Sequence, residues 1–60
     1  MSDSRTAGVQ VGEFAQDGRD QAKIIGTDRD TVLIEYLTDG KQIRLQHNRF
    51  IRRDGELHIE

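Results

Sequence analysis

Sixty residues, a third of them apolar and a third charged, suffice for one small domain and not for two, since a chain this short buries only about 60% of its unfolded surface. The absence of cysteine excludes disulfide staples, thiolate zinc sites and cysteine nucleophiles, and a longest apolar run of three residues, Val32-Leu33-Ile34, gives neither a membrane helix nor a signal-peptide core, so a soluble, cytoplasmic protein with no membrane contact is expected. The net charge of −2 argues against a general polyanion binder but divides unevenly: residues 1–40 carry eight acids and four bases, residues 41–60 five bases and three acids.

Residues 1–8 hold almost nothing to bury and are expected to form a disordered tail, with the folded domain spanning residues 9–60. Within it, strand-forming residues cluster at 9–14, 21–27, 31–37, 41–47, 50–53 and 56–59, and no helical apolar period competes with them. Asp-Gly occurs at 17–18, 39–40 and 54–55, each a tight-turn signal.

The turns set an expected register. After a first strand ending near Phe14 and a long polar loop, a three-residue loop at Asp28-Arg29-Asp30 places Ile24 opposite Ile34, Ala22 opposite Tyr36, Ile25 opposite Leu33 and Lys23 opposite Glu35. A two-residue loop at Asp39-Gly40 places Tyr36 opposite Ile43, Glu35 opposite Arg44 and Ile34 opposite Leu45. Val32, Ile34, Tyr36, Ile43 and Leu45 then share a core face, while the other face carries a Lys23, Glu35, Arg44 charge ladder and the apolar residues Ile25, Leu33 and Leu37. His47-Asn48-Arg49 is expected as one helical turn that Asn48 can cap. A closing hairpin about Asp54-Gly55 pairs Arg53 with Glu56 and Phe50 with Ile59, adding Phe50, Leu57 and Ile59 to the core. The expectation is an all-β, half-open small barrel of the SH3-like kind, with about five strands and one short helical turn before the last.

The stretch from Ala22 to Asp28, the strand Val32-Leu33-Ile34-Glu35-Tyr36, the turn Asp39-Gly40-Lys41 and the segment from Leu45 to Ile51 together resemble the Tudor group of SH3-like barrels over about half of the chain. Methyl-cation recognition in that group uses an aromatic cage. The positions that resemble the cage walls read Phe14, Asp20, Tyr36 and Asp39, two aromatics where a cage needs more. The segment from Glu35 to Lys41, followed by Ile43 and Leu45, is also similar to the Tudor-like polymerase-interaction domain of transcription-repair coupling factors and to KOW-type modules. That likeness implies RNA polymerase or the ribosome as a partner.

For chemistry, His47 and His58 lack the further ligands that a metal site needs, and the turn aspartates suit backbone hydrogen bonding. No nucleophile with a neighbouring base, phosphate loop or cofactor motif is present, so neither catalysis nor a cofactor is expected. Two surfaces carry the functional expectation. The leading one is a basic stripe of Lys41, Arg44, His47, Arg49, Arg52 and Arg53, with five cations and no acid between Lys41 and Arg53, placed to contact RNA or DNA phosphates while Phe14 or Tyr36 stacks a base. In this register Arg44 also faces Glu35, and Arg53 faces Glu56. The alternative is a protein partner or homodimer docked on Ile25, Leu33 and Leu37.

Overall fold

A computed structural model describes residues 8–60; residues 1–7, most of the expected tail, lie outside the described residues. In chain order the strands are β1 (Phe14–Asp17), β2 (Asp20–Thr27), β3 (Thr31–Tyr36), β4 (Gln42–Gln46), β5 (Phe50–Arg53) and β6 (Glu56–Ile59), with a 3₁₀ turn, His47–Arg49, between β4 and β5. They form one curled, half-barrel sheet in the order β4-β3-β2-β1-β6-β5. Neighbours are antiparallel except β1 and β6, which run parallel. The all-β half-barrel agrees with the expectation, but its strands number six rather than about five, because the closing hairpin supplies two.

The first strand is displaced from its expected place. β1 begins at Phe14 and turns straight into β2 through Gly18 and Arg19, with Asp17 opposite Asp20. The tight turn requires a left-handed residue, and Gly18 has φ 61°. The expected long polar loop is therefore absent. Residues 9–13 precede the strand and run against β2: the Gly12 N–H donates to the Ile24 carbonyl and the Ile24 N–H to the Glu13 carbonyl, both at 2.8 Å.

Alternation along the strands produces the core. Ala15, Ala22, Ile24, Val32, Ile34, Phe50, Leu57 and Ile59 are buried, with Val9, Tyr36, Ile43 and Leu45 packed against them. Each large side chain removed from water contributes on the order of 1.5–3 kcal/mol. Ala22 lies between Ala15 on β1 and Tyr36 on β3, and Ala15 in turn lies beside Leu57 on β6. Small residues in the middle of the sheet let the concave face close around Phe50, Ile24, Ile34 and Val32, the largest of its fully buried side chains.

The closing hairpin has the expected register, Arg53 opposite Glu56 and Phe50 opposite Ile59, with positive φ at both turn residues, Asp54 at 54° and Gly55 at 81°, as a two-residue hairpin loop demands. Between β2 and β3, Ala22–Tyr36, Lys23–Glu35 and Ile24–Ile34 face each other as expected. Ile25 does not face Leu33. A bulge after Ile24 puts Gly26 opposite Leu33, and the extra residue shortens the loop to Arg29-Asp30, closed by the Asp28 N–H on the Thr31 carbonyl at 2.8 Å. Between β3 and β4 the register is two residues from that expected: Ile34 faces Ile43, Val32 faces Leu45, Glu35 faces Gln42 and Leu33 faces Arg44. Residues 37–40 all lie in the loop, closed by the Tyr36 N–H on the Lys41 carbonyl and the Gly40 N–H on the Tyr36 carbonyl, each 2.8 Å. A shift of two preserves the faces and changes every partner. The 3₁₀ turn stands where expected, but Asn48 lies inside it; the N-cap position is Gln46, with no side-chain cap bond.

Candidate functional site

The expected basic stripe divides between two strands at opposite ends of the sheet order. Lys41 and Arg44 accompany β4 and Arg52 and Arg53 lie on β5, while His47 and Arg49 share the 3₁₀ turn that joins the two strands. Arg44 is opposite Leu33, not Glu35, and its guanidinium reaches Asp28 at 3.5 Å, so the charge ladder stops at Lys23 and Glu35. His47 donates from Nε2 to the Asp28 carbonyl at 2.7 Å. On the other side, Arg49 donates to the Glu60 carbonyl, and Arg53 reaches the Glu60 carboxylate at 3.5 Å instead of Glu56.

Arg52 is different in kind. It faces Leu57 and shares the inward side of β5 with buried Phe50. Its guanidinium spans Glu13 at 3.0 and 3.2 Å and the Gly8 carbonyl at 3.2 Å. Both members of the ion pair are half-buried. The Gln10 N–H, bonded to the Glu13 carboxylate at 2.8 Å, does most to hold that carboxyl below its ordinary pKa; partial burial opposes the shift and Arg52 assists it.

The two candidate stacking residues lie on opposite faces of the sheet. Phe14, 48% exposed, stands opposite Lys23, while Tyr36 stands opposite Ala22 on the core side. The Tyr36 hydroxyl donates to Asp17 at 2.6 Å. That bond, with partial burial and the charges of Asp17 and Asp20, pushes its pKa up to about 12 against a weaker opposing effect of Arg49. Asp20 accepts a bond from the Thr38 hydroxyl at 3.3 Å and Asp39 one from the Lys41 N–H at 3.0 Å. Of the four cage-like positions, Phe14 thus lies on the other face of the sheet from Tyr36, whose phenol feels the charge of Asp20. The apolar trio also separates: Ile25 sits at the bulge near Leu33, both half-buried, and Leu37 is 51% exposed in the β3–β4 loop. Four residues along an extended strand put it roughly 13 Å from Leu33, beyond Glu35.

What the residue pattern did not disclose is the state of the sheet edges. Among the described residues, β4 and β5 each pair on one side only. In an antiparallel ladder bonded and non-bonded pairs alternate. The Tyr36–Lys41 bond makes Ile34–Ile43 and Val32–Leu45 the bonded pairs, so the N–H and C=O groups of Gln42 and Arg44 and the N–H of Gln46 point away from β3, along the open edge, while the Gln46 carbonyl, at the N-cap, begins the 3₁₀ turn. These three residues are exposed, whereas Ile43 and Leu45 are half-buried beneath them.

The two edges are unequally guarded. By the same alternation from the Arg49–Glu60 bond, the outward backbone groups of β5 belong to Phe50 and Arg52. The Phe50 N–H is used by the His47 carbonyl, and Arg52 is an inward-pointing charge tied to Glu13 and Gly8. Inward charges and covering segments are devices that close a strand edge to further pairing. Among the described residues β4 has none of them: its pairing with β3 has no bulge, and both inward residues are apolar. Its far end opens into a groove of about 590 Å³ lined by Arg29, Asp30, Gln46, His47 and Asn48. Arg29 is the basic residue that sequence reasoning missed, because it joins β4 only through the β2–β3 turn.

Among the described residues no group of three His, Cys, Asp or Glu side chains is placed to hold a metal ion, and no helix is long and apolar enough to cross a membrane. No protein-family model, curated protein or solved structure matches the chain.

Proposed function

We propose that the chain is a non-enzymatic binding module, an SH3-like barrel of the Tudor-like kind, that receives an extended segment of a partner protein along the open edge of β4. The observation that carries this reading is the contrast between the two edges. β5 is closed by Arg52 and the residues that bind it, while β4 presents the N–H and C=O groups of Gln42 and Arg44 and the N–H of Gln46 on a regular strand. Main-chain hydrogen bonds to such an edge supply affinity, and alternate side chains supply selectivity.

The test is selection of a displayed random-peptide library on the protein, followed by binding to Arg44→Pro and Arg44→Thr. Proline at Arg44 removes an outward N–H without removing a β3–β4 bond, a position where edge strands accept it; threonine keeps the N–H and removes the charge. Selected peptides are expected to lose binding to Arg44→Pro while keeping measurable binding to Arg44→Thr. Peptides indifferent to the proline overturn the reading.

A second reading, nucleic-acid binding, is favoured by the acid-free run from Lys41 to Arg53 and by Arg29 beside His47. In an amide NMR titration it requires shifts at Lys41, Arg44, His47 and Arg29 with single-stranded RNA or a DNA duplex, fading with salt as counterion release dictates. Absence of shifts with either at low salt sinks it.

A further inference from the structure

We infer that the segment received by β4 is acidic: an extended stretch that alternates apolar side chains with carboxylates and runs on into the groove at the end of the strand. This rests on the strand-receiving reading and adds the chemistry of the partner. Three observations carry it. Along the edge, the outward side chains of β4 are Gln42, Arg44 and Gln46, with Lys41 before and His47 after, so an incoming strand meets cations and amides and no carboxylate from β4 itself. Opposite charges facing each other across a strand pair stabilise it and like charges destabilise it.

The second observation is the weakness of the bond that now holds Arg44. Its contact with Asp28 is 3.5 Å long, and the two side chains are 60% and 67% exposed, so the pair is solvated and easily exchanged for another carboxylate. The third is continuity. Gln46, the last residue of β4, also lines the groove with Arg29, His47 and Asn48, so a strand laid along the edge delivers its next residue there. Asp30, which also lines the groove, Asp28, paired with Arg44, and Glu35, opposite Gln42 on β3, are the acids that the incoming strand must clear. On the inner side, half-buried Ile43 and Leu45 are completed by apolar residues at the alternate positions of the incoming strand.

A second copy of the chain fits this edge poorly. A two-fold axis centred on Arg44 sets Arg44 against itself, and centring on Ile43 or Leu45 leaves both arginines without a carboxylate from the partner's β4.

The experiment is an amide NMR titration of the labelled chain with two short capped peptides that alternate isoleucine with glutamate or isoleucine with lysine, at low and moderate salt. Each is run on the wild type and on Arg44→Glu, whose exposed position leaves the fold intact and whose spectrum reports it. The glutamate peptide is expected to shift Gln42, Arg44 and Gln46 together with Arg29 and His47, and to bind about tenfold more tightly than the lysine peptide, with the order reversed by Arg44→Glu. If both peptides shift the edge equally, the strand-receiving reading stands and the acidic partner is refuted. If neither peptide shifts the edge while RNA or DNA does, both fall. If the edge shifts with protein concentration alone, a second copy is the occupant and the acidic partner is again refuted.

Discussion

The phenol of Tyr36 crosses from β3 to the Asp17 carboxylate at 2.6 Å, and its pKa of about 12 makes a definite pH prediction. The folded state holds the phenolic proton more tightly than an unfolded chain, whose tyrosine titrates near 10. The stabilisation is therefore complete below pH about 10 and is lost as pH rises from about 10 towards 12. Urea unfolding across that range should show the loss in the wild type and lack it in Tyr36→Phe, which at neutral pH should be less stable by about 1–2 kcal/mol. Glu13 works in the opposite direction. The Gln10 N–H and Arg52 hold its folded pKa below the ordinary value, so its contribution is present above pH about 4.5 and disappears as pH falls through the lowered pKa. Glu13→Gln should cost about 1–2 kcal/mol at neutral pH, between the values for exposed and buried pairs, and should remove that part of the acid dependence. These two residues were legible unequally. Tyr36 was recognisable as a core-edge aromatic from alternation; Glu13 gave no signal, because Arg52 and Gln10 reach it only in the folded chain.

At the level of elements, the two hairpins that enclose the core contrast in what fixes them. Gly55 occupies φ 81° with open space around it, so Gly55→Ala should cost about 1 kcal/mol through backbone strain alone. Gly26 follows the bulge with no such restriction, and an added Cβ would meet Leu33 at 3.7 Å, an ordinary contact. Gly26→Ala should therefore be neutral or mildly stabilising by urea denaturation, an outcome that distinguishes a glycine placed for its φ from one placed by strand geometry. In the core, Ile34→Ala should cost about 3 kcal/mol, a large share of what so small a domain possesses, and should leave thermal unfolding by circular dichroism broad or absent at room temperature. The bulge after Ile24 explains why turn counting alone misplaced Ile25. A bulge inverts the alternation beyond it, but only Gly26 and Thr27 follow it in β2, so the hydrophobic pattern is silent about it.

For the molecule as a whole, the unequal edges bear on association. Arg52 sets an inward charge on β5, bound to Glu13 and Gly8 near the start of the described residues, an arrangement that disfavours further pairing at a strand edge. Arg52→Leu removes the inward charge and frees Glu13, and it should raise the tendency of the protein to self-associate, read as a concentration-dependent mass in sedimentation equilibrium. The same measurement on Arg53→Gln, which removes an outward charge from the same strand, should show little change. A concentration-independent mass for Arg52→Leu would mean that the edge is closed by something other than this side chain.

Local chemistry by itself determined the all-β class, the alternation that puts Val32, Ile34, Tyr36, Ile43 and Leu45 on one face, the Asp54-Gly55 hairpin and the helical turn at His47–Arg49, because turn conformation and strand periodicity are properties of a few neighbouring residues. Only the tertiary structure decided the pairing of β1 with β6, the bulge after Ile24, the two-residue shift of β4, the division of the basic stripe and the difference between the open edges. Each of these depends on which distant strands meet. Contacts between residues far apart in the chain are selected by the closure of the whole sheet around its core, and that selection leaves no mark on any short stretch of sequence.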